Sequence, residues 1–157
     1  MQLEIDGWRL RLTFSAAHVM IGHRRCGRLH GHDYAISVSL DGEPGDDGVI
    51  MDFGELKELV RSIAMELDHK FLVAKKHRNV STDGKNVRIR SGKSEYIVPV
   101  ADCAMIDVQQ TSAEELAAWV CERLRKKLAG RSNISTLRVK VEEGMGQSVW
   151  QTIGLRR

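Results

Sequence analysis

The chain has 157 residues, 42% of them hydrophobic and 29% charged, a globular balance large enough to bury a core in one domain. Its 24 basic and 21 acidic residues leave a formal charge of only +3, which excludes the strong basic footprint of a nucleic-acid binder. No charged-then-apolar segment opens the chain and no apolar run approaches the ~18 residues of a membrane helix, so neither nucleic acid nor membrane is an expected partner.

In chain order, Trp8, Leu10, Leu12, Phe14, Ala16 and His18 recur at every second position, with Arg9, Arg11, Thr13 and Ser15 between them. The spacing predicts a half-buried strand over 8–18. A second strand is predicted from Tyr34, Ile36, Val38 and Leu40, ending in the turn-rich run 41–48. The period then changes. Leu56, Leu59, Val60, Ile63 and Leu67 mark an amphipathic helix over 54–67. The basic run Lys75-Lys76-His77-Arg78 reads as a solvated loop, and residues 86–99 as an extra hairpin turning at Ser91-Gly92. Ser112 caps a second helix with Glu115 reaching back to it; Leu116, Val120 and Leu124 form the inner stripe, and Gly130 is the stop. Strands near 135–143 and 147–153 close the chain. The order predicts an α+β fold: a four-stranded antiparallel sheet, two helices on one face, and an inserted hairpin.

The chemistry concentrates in Cys26-Gly27-Arg28-Leu29-His30-Gly31-His32. Histidines two apart on a strand share a face, and the count back from Tyr34 puts His30 and His32 on the apolar side. The same count in the first strand puts His18 in phase with Phe14. Three neutral imidazoles with one position open is the layout of catalytic zinc. Cys26 is either a fourth ligand closing a structural site or a thiol made acidic beside an open one. Cys26, Cys103 and Cys121 are an odd number without disulfide-framework spacing, so a reducing cytoplasm is the expected setting. Asp68-His69 follows the first helix; it is either a histidine meeting the negative end of the helix dipole or a proton-handling pair. Glu143 falls in phase with Leu137, Val139 and Val141. It is therefore either a solvated strand end or a carboxylate placed to accept paired N–H donors.

Taken together, these residues resemble the 6-pyruvoyl- and 6-carboxy-tetrahydropterin synthase family. The likeness runs through Phe14-Ser15-Ala16-Ala17-His18, Cys26 with His30-Gly31-His32, Met51-Asp52-Phe53, Leu67-Asp68-His69, Ser112-Ala113-Glu114 and Val139-Lys140-Val141-Glu142-Glu143. It implies a T-fold (tunnelling fold), a homohexamer of two stacked trimers, and active sites between subunits. By position it implies zinc on His18, His30 and His32, Cys26 as general base, and Asp68 and His69 as a proton relay. Glu143, Ser112 and Glu114 would bind the pterin. The implied substrate is 7,8-dihydroneopterin triphosphate. Three residues separate Cys26 from His30, the spacing of the carboxy branch, which releases acetaldehyde and supplies precursors of 7-deazaguanine bases such as queuosine and archaeosine. The pyruvoyl branch usually has a longer gap, and a related folate-pathway branch has glutamate where Cys26 stands. The non-enzymatic alternative is a zinc-stabilised pterin-binding module. Two features depart from the family pattern: residues 73–106 are longer than in compact members, and Gln110-Thr111 replaces a proline before the second helix.

Overall fold

Alternation of Tyr34, Ile36, Val38 and Leu40 with the small residues Ala35, Ser37 and Ser39 builds a strand longer than the apolar run itself. In a computed structural model that describes residues 1–155, β3 spans His30–Gly42. β9 (Ile134–Glu143) pairs along one of its edges. β1 (Gln2–Ile5) and β2 (Thr13–His18) share the other, one after the other. Residues 34–40 are buried on both faces of the sheet. One face meets the helices. The other is covered by the turn at 6–12, whose Gly7 N–H donates to Ser37 Oγ at 2.9 Å.

That turn corrects the strand predicted over 8–18, which begins only at Thr13. The Asp6 carboxylate accepts the Arg9 N–H at 2.8 Å, and the backbone closes with Leu10 N–H to Asp6 O and Leu12 N–H to Gly7 O. This local bonding competes with a strand ladder and wins. Trp8 and Leu10 alternate with arginines without being paired, and Leu10 is exposed.

The main sheet is also larger than predicted. β4 (Lys70–Ala74) lies parallel to β2, and β8 (Cys103–Ile106) parallel to β4. With β10 (Ser148–Gly154) the order is β10-β9-β3-β2-β4-β8, β1 lying beside β3. The sheet is therefore seven-stranded and mixed, where four antiparallel strands were expected. Phe71, Leu72, Val73 and Ala74 are buried on both faces, as parallel strands are, so they show no two-residue period to read.

Both helices fall where the periodicity puts them. α1 (Phe53–Leu67) is capped by Asp52, which accepts the Glu55 N–H at 2.9 Å, and buries Leu56, Val60, Ile63, Ala64 and Leu67. α2 (Ala113–Lys127) follows Ser112 and buries Leu116, Ala117, Val120, Cys121 and Leu124. Glu115 does reach back, but past Ser112: its carboxylate accepts the N–H groups of Gln109 at 2.8 Å and Gln110 at 3.0 Å. The expected hairpin is present as β6 (Asn86–Ser91) and β7 (Ser94–Pro99). β5 (Val80–Thr82) joins them in a second, three-stranded sheet. Its Val87 and Ile89 form a separate apolar cluster with Val19, Ile21, Phe71 and Val73.

Gly7 has no space for a side chain, since a Cβ there would stand 2.8 Å from backbone atoms of Ile36. Gly7→Ala should therefore lift the covering turn and lower stability by ~1–3 kcal/mol, read as a lower denaturation midpoint with unchanged secondary structure.

Candidate active site

Antiparallel pairing of β2 with β3 sets His18 opposite His30 and Ala16 opposite His32. Paired residues share a face, so the three imidazoles converge, with one ligand nitrogen from each within 4.8 Å of the others. His18 Nδ1 is 2.9 Å from Thr111 O, and His30 Nδ1 is 2.7 Å from Arg28 O. A carbonyl can only accept, so both Nδ1 atoms carry hydrogen, and each ring in its neutral form presents its lone pair at Nε2. These two Nε2 atoms stand 3.1 Å apart. Burial pushes the His18 imidazole below its ordinary pKa, outweighing the opposing pull of Glu143. Facing lone pairs on a neutral ring repel unless a cation lies between them. The donor set therefore fits a divalent metal held through Nε2.

Glu143 reaches the same point from β9, where its Cα is paired with that of Tyr34. Its Oε1 accepts the Tyr34 hydroxyl at 2.9 Å and lies 3.3 Å from His18 Nε2 and 3.6 Å from His32 Nε2. Burial first, and the Glu143 carboxylate second, hold the Tyr34 phenol well above its ordinary pKa, so it remains a donor. Tyr34 in turn stacks on Phe14, with ring centroids 4.7 Å apart.

The triad opens into a cavity of about 350 Å³, the size of a small-molecule site. Its lining includes Cys26, Ser112, Glu114 and Glu143 as well as the three histidines. Seven of the nine candidate residues thus meet in one place. Cys26 lines the cavity without belonging to the cluster of ligand nitrogens.

Asp68 and His69 are the two that do not meet the others. His69 lines a neighbouring depression of about 570 Å³ with Ser15, Asp33 and Lys70, and His32 is the one triad member common to both linings. Asp68 is fixed by the Ser15 N–H on Oδ1 at 2.8 Å and by His69 Nδ1 on Oδ2 at 2.9 Å. These contacts, Ser15 foremost, hold its carboxyl below the usual carboxylate range. The His69 side chain is 83% exposed. Its backbone is left-handed, with φ 56°, and its N–H donates to Ser15 O at 2.7 Å. Such a conformation is uncommon outside glycine, and it turns the chain from α1 into β4.

A sequence model described as 6-pyruvoyl tetrahydropterin synthase matches residues 9–152. The chain belongs to that family. A putative 6-carboxy-5,6,7,8-tetrahydropterin synthase of Methanocaldococcus jannaschii is 38% identical over 152 residues, covering 94% of this chain and 93% of the relative. A dihydroneopterin monophosphate aldolase of Pyrococcus furiosus is 28% identical over 85% of this chain and 86% of its own. Among solved structures, a 6-pyruvoyltetrahydropterin synthase of Plasmodium vivax with a catalytic glutamate replaced by alanine superposes with a TM-score of 0.89. It is 28% identical and 98% of each chain is covered. The architecture is the T-fold of this family, and the family's members are pterin enzymes.

Sequence reasoning missed the residues that hold the triad in place. Tyr34 counts as one more apolar residue in phase, and only its strand partner reveals that it faces Glu143. Thr111 O and Arg28 O are backbone atoms and leave no signal in residue type. In purified protein the double variant His30→Ala/His32→Ala should retain no divalent metal by elemental analysis, whereas wild type should retain close to one equivalent per chain. A full complement in the variant would place the metal elsewhere.

Proposed function

We propose that this chain is a zinc-dependent 6-carboxy-5,6,7,8-tetrahydropterin synthase. It acts on 7,8-dihydroneopterin triphosphate and supplies a precursor of 7-deazaguanine bases in the cytoplasm. One observation carries the reading: Cys26 lines the cavity of a three-nitrogen metal cluster without being part of it. That is the arrangement of an open metal site with a thiol beside it, as distinct from a closed structural site. The name of the M. jannaschii relative points the same way.

Glu143 takes the 2-amino and N3 hydrogens of the pterin. Oε2 is free of the Tyr34 bond, and Oε1 retains a second lone pair. Ser112 and Glu114, at the start of α2, close the cavity on the other side. Zinc, when bound to His18, His30 and His32, supplies a Lewis acid that polarises the side-chain oxygens and acidifies the adjacent C–H. Cys26 accepts that proton as thiolate. Asp68 orients His69, which delivers a proton as triphosphate leaves; addition of one water and cleavage of the C1′–C2′ bond then release acetaldehyde and leave the 6-carboxylate.

In this reading the relay is supplied by a neighbouring copy, which is supported by the absence of His69 from the lining of its own chain's triad cavity. Its exposure and its left-handed backbone suit a group presented outward. β10 and β8 end the sheet, and among the described residues no strand pairs with their outer edges. Joining such edges between copies, in a homohexamer of two stacked rings of three, removes an aggregation hazard and brings Asp68–His69 to another subunit's cavity.

The decisive experiment incubates the zinc-loaded protein with 7,8-dihydroneopterin triphosphate and follows acetaldehyde together with the mass of the pterin product. Acetaldehyde with 6-carboxy-tetrahydropterin is expected. A diketo side chain still attached would assign the pyruvoyl reaction, and neither product would assign a binding module. Turnover only of dihydroneopterin monophosphate would assign the activity named for the P. furiosus relative. Cys26→Ala should keep its metal and lose ~100-fold or more in rate; loss of metal with the thiol would make Cys26 a ligand. When Cys26→Ala and His69→Ala subunits are co-expressed, the mixed oligomers should recover activity that neither parent has. No recovery would confine the relay to its own chain.

A further inference from the structure

The segment from Gly22 to Leu29 carries Cys26, yet it has little apolar contact of its own. His23, Arg24, Arg25, Arg28 and Leu29 are all exposed. At its root, Met20 N–H donates to Cys26 O at 2.9 Å, and inside the loop Gly27 N–H donates to His23 O at 3.0 Å. Cys26 N–H donates to His23 Nδ1 at 3.0 Å. These bonds hold the loop's shape and tether it to the end of β2, but they leave its outer side unsupported.

That support comes from the inserted sheet. Ser91, buried at the end of β6, donates its hydroxyl to Gly27 O at 2.8 Å. The Leu29 N–H donates to Tyr96 Oη, on β7, at 3.3 Å. The two contacts fall on the residue immediately after Cys26 and on the residue immediately before His30. Gly27 has no slack between them, because a Cβ there would lie 2.3 Å from His23 O and 3.1 Å from Ser91 Oγ. Beneath the loop, Val87 and Ile89 pack against Val19 and Ile21 at its root. Gln110 locks the same root to the start of α2, donating to Ile21 O at 2.7 Å and accepting from Ile21 N–H at 3.1 Å.

We propose that the inserted sheet β5–β7 is a brace for the Cys26 loop, with Ser91 and Tyr96 as positioning residues that hold the thiol at the triad cavity. The catalytic half of this inference rests on Cys26 being the general base; the bracing half does not. A general base must sit within hydrogen-bond reach of the proton it takes, and a misplacement of about 1 Å can cost roughly 100-fold in rate. A sheet held by the β5–β6–β7 ladders and by the buried Val87 and Ile89 is a firmer support than the loop itself.

The test compares Ser91→Ala, Tyr96→Phe and the double variant with wild type. Thr82→Ala serves as control, because the Thr82 hydroxyl bonds to Asn86 O within the insert and does not touch the loop. Each single variant should lower kcat about tenfold and the double about 100-fold, with KM for the substrate and zinc content unchanged. Thr82→Ala should behave as wild type. In parallel, trypsin should cut after Arg24 or Arg25 roughly tenfold faster in each single variant, since removing one bond raises the open population by about that factor. Tryptic rates in the double variant equal to wild type would overturn the brace, as would an equal acceleration in Thr82→Ala. Zinc lost together with activity would also overturn it, by moving the support from the thiol to the metal. If wild type turns over no pterin, the reading of Cys26 as a base fails, while the tryptic comparison still decides the brace.

Discussion

Two imidazole nitrogens facing each other across 3.1 Å are the centre from which the rest of the site is built. The Nε2 atoms of His18 and His30 are in that position because each ring has given its other nitrogen to a carbonyl, Thr111 O in one case and Arg28 O in the other. With both rings neutral the two Nε2 lone pairs converge on one point, the arrangement a divalent cation would use. The surrounding structure keeps the rings in place. β2 pairs with β3 in a register that leaves no other direction for the side chains. Burial, the largest influence on His18, lowers its pKa and so favours the neutral ring.

β3 links that centre to the rest of the fold. Its early residues carry two of the imidazoles, and its middle is buried on both faces. Tyr34 lies between these regions. It stacks on Phe14 of β2 and donates to Glu143 of β9, so one residue ties three strands to the carboxylate in the cavity. The architecture places chemistry at strand ends, where the ladder is finished and a side chain is free to face a ligand instead of a helix.

How much of this was legible depends on what kind of force set each part. The helices were readable because Leu56, Val60 and Ile63, or Leu116, Val120 and Leu124, bury one stripe at a period near 3.6. The histidine trio was readable for the same reason at period 2. The strand predicted over 8–18 failed in its first half because Asp6 caps a turn with its own side chain, a local bond that hydrophobic alternation does not reveal. β4 was missed because a short strand buried on both faces has no period, and β8 because its first three residues are all half-buried and show no alternation either. Seven site residues were brought together as the spacing implied. The separation of His69 from them could not be seen, because it depends on which side of β2 the chain emerges after α1, and no residue type encodes that.

His69 also shows what an exposed functional group asks of its backbone. At φ 56° the position suits a glycine, which would adopt the left-handed region without strain and still donate its N–H to Ser15 O. The chain keeps an imidazole there instead. Position 69 is thus a place where a more stable sequence lies one substitution away and would erase the ring that Asp68 orients. A search for thermostable variants of this protein would tend to find that glycine, and would lose the proposed relay in doing so.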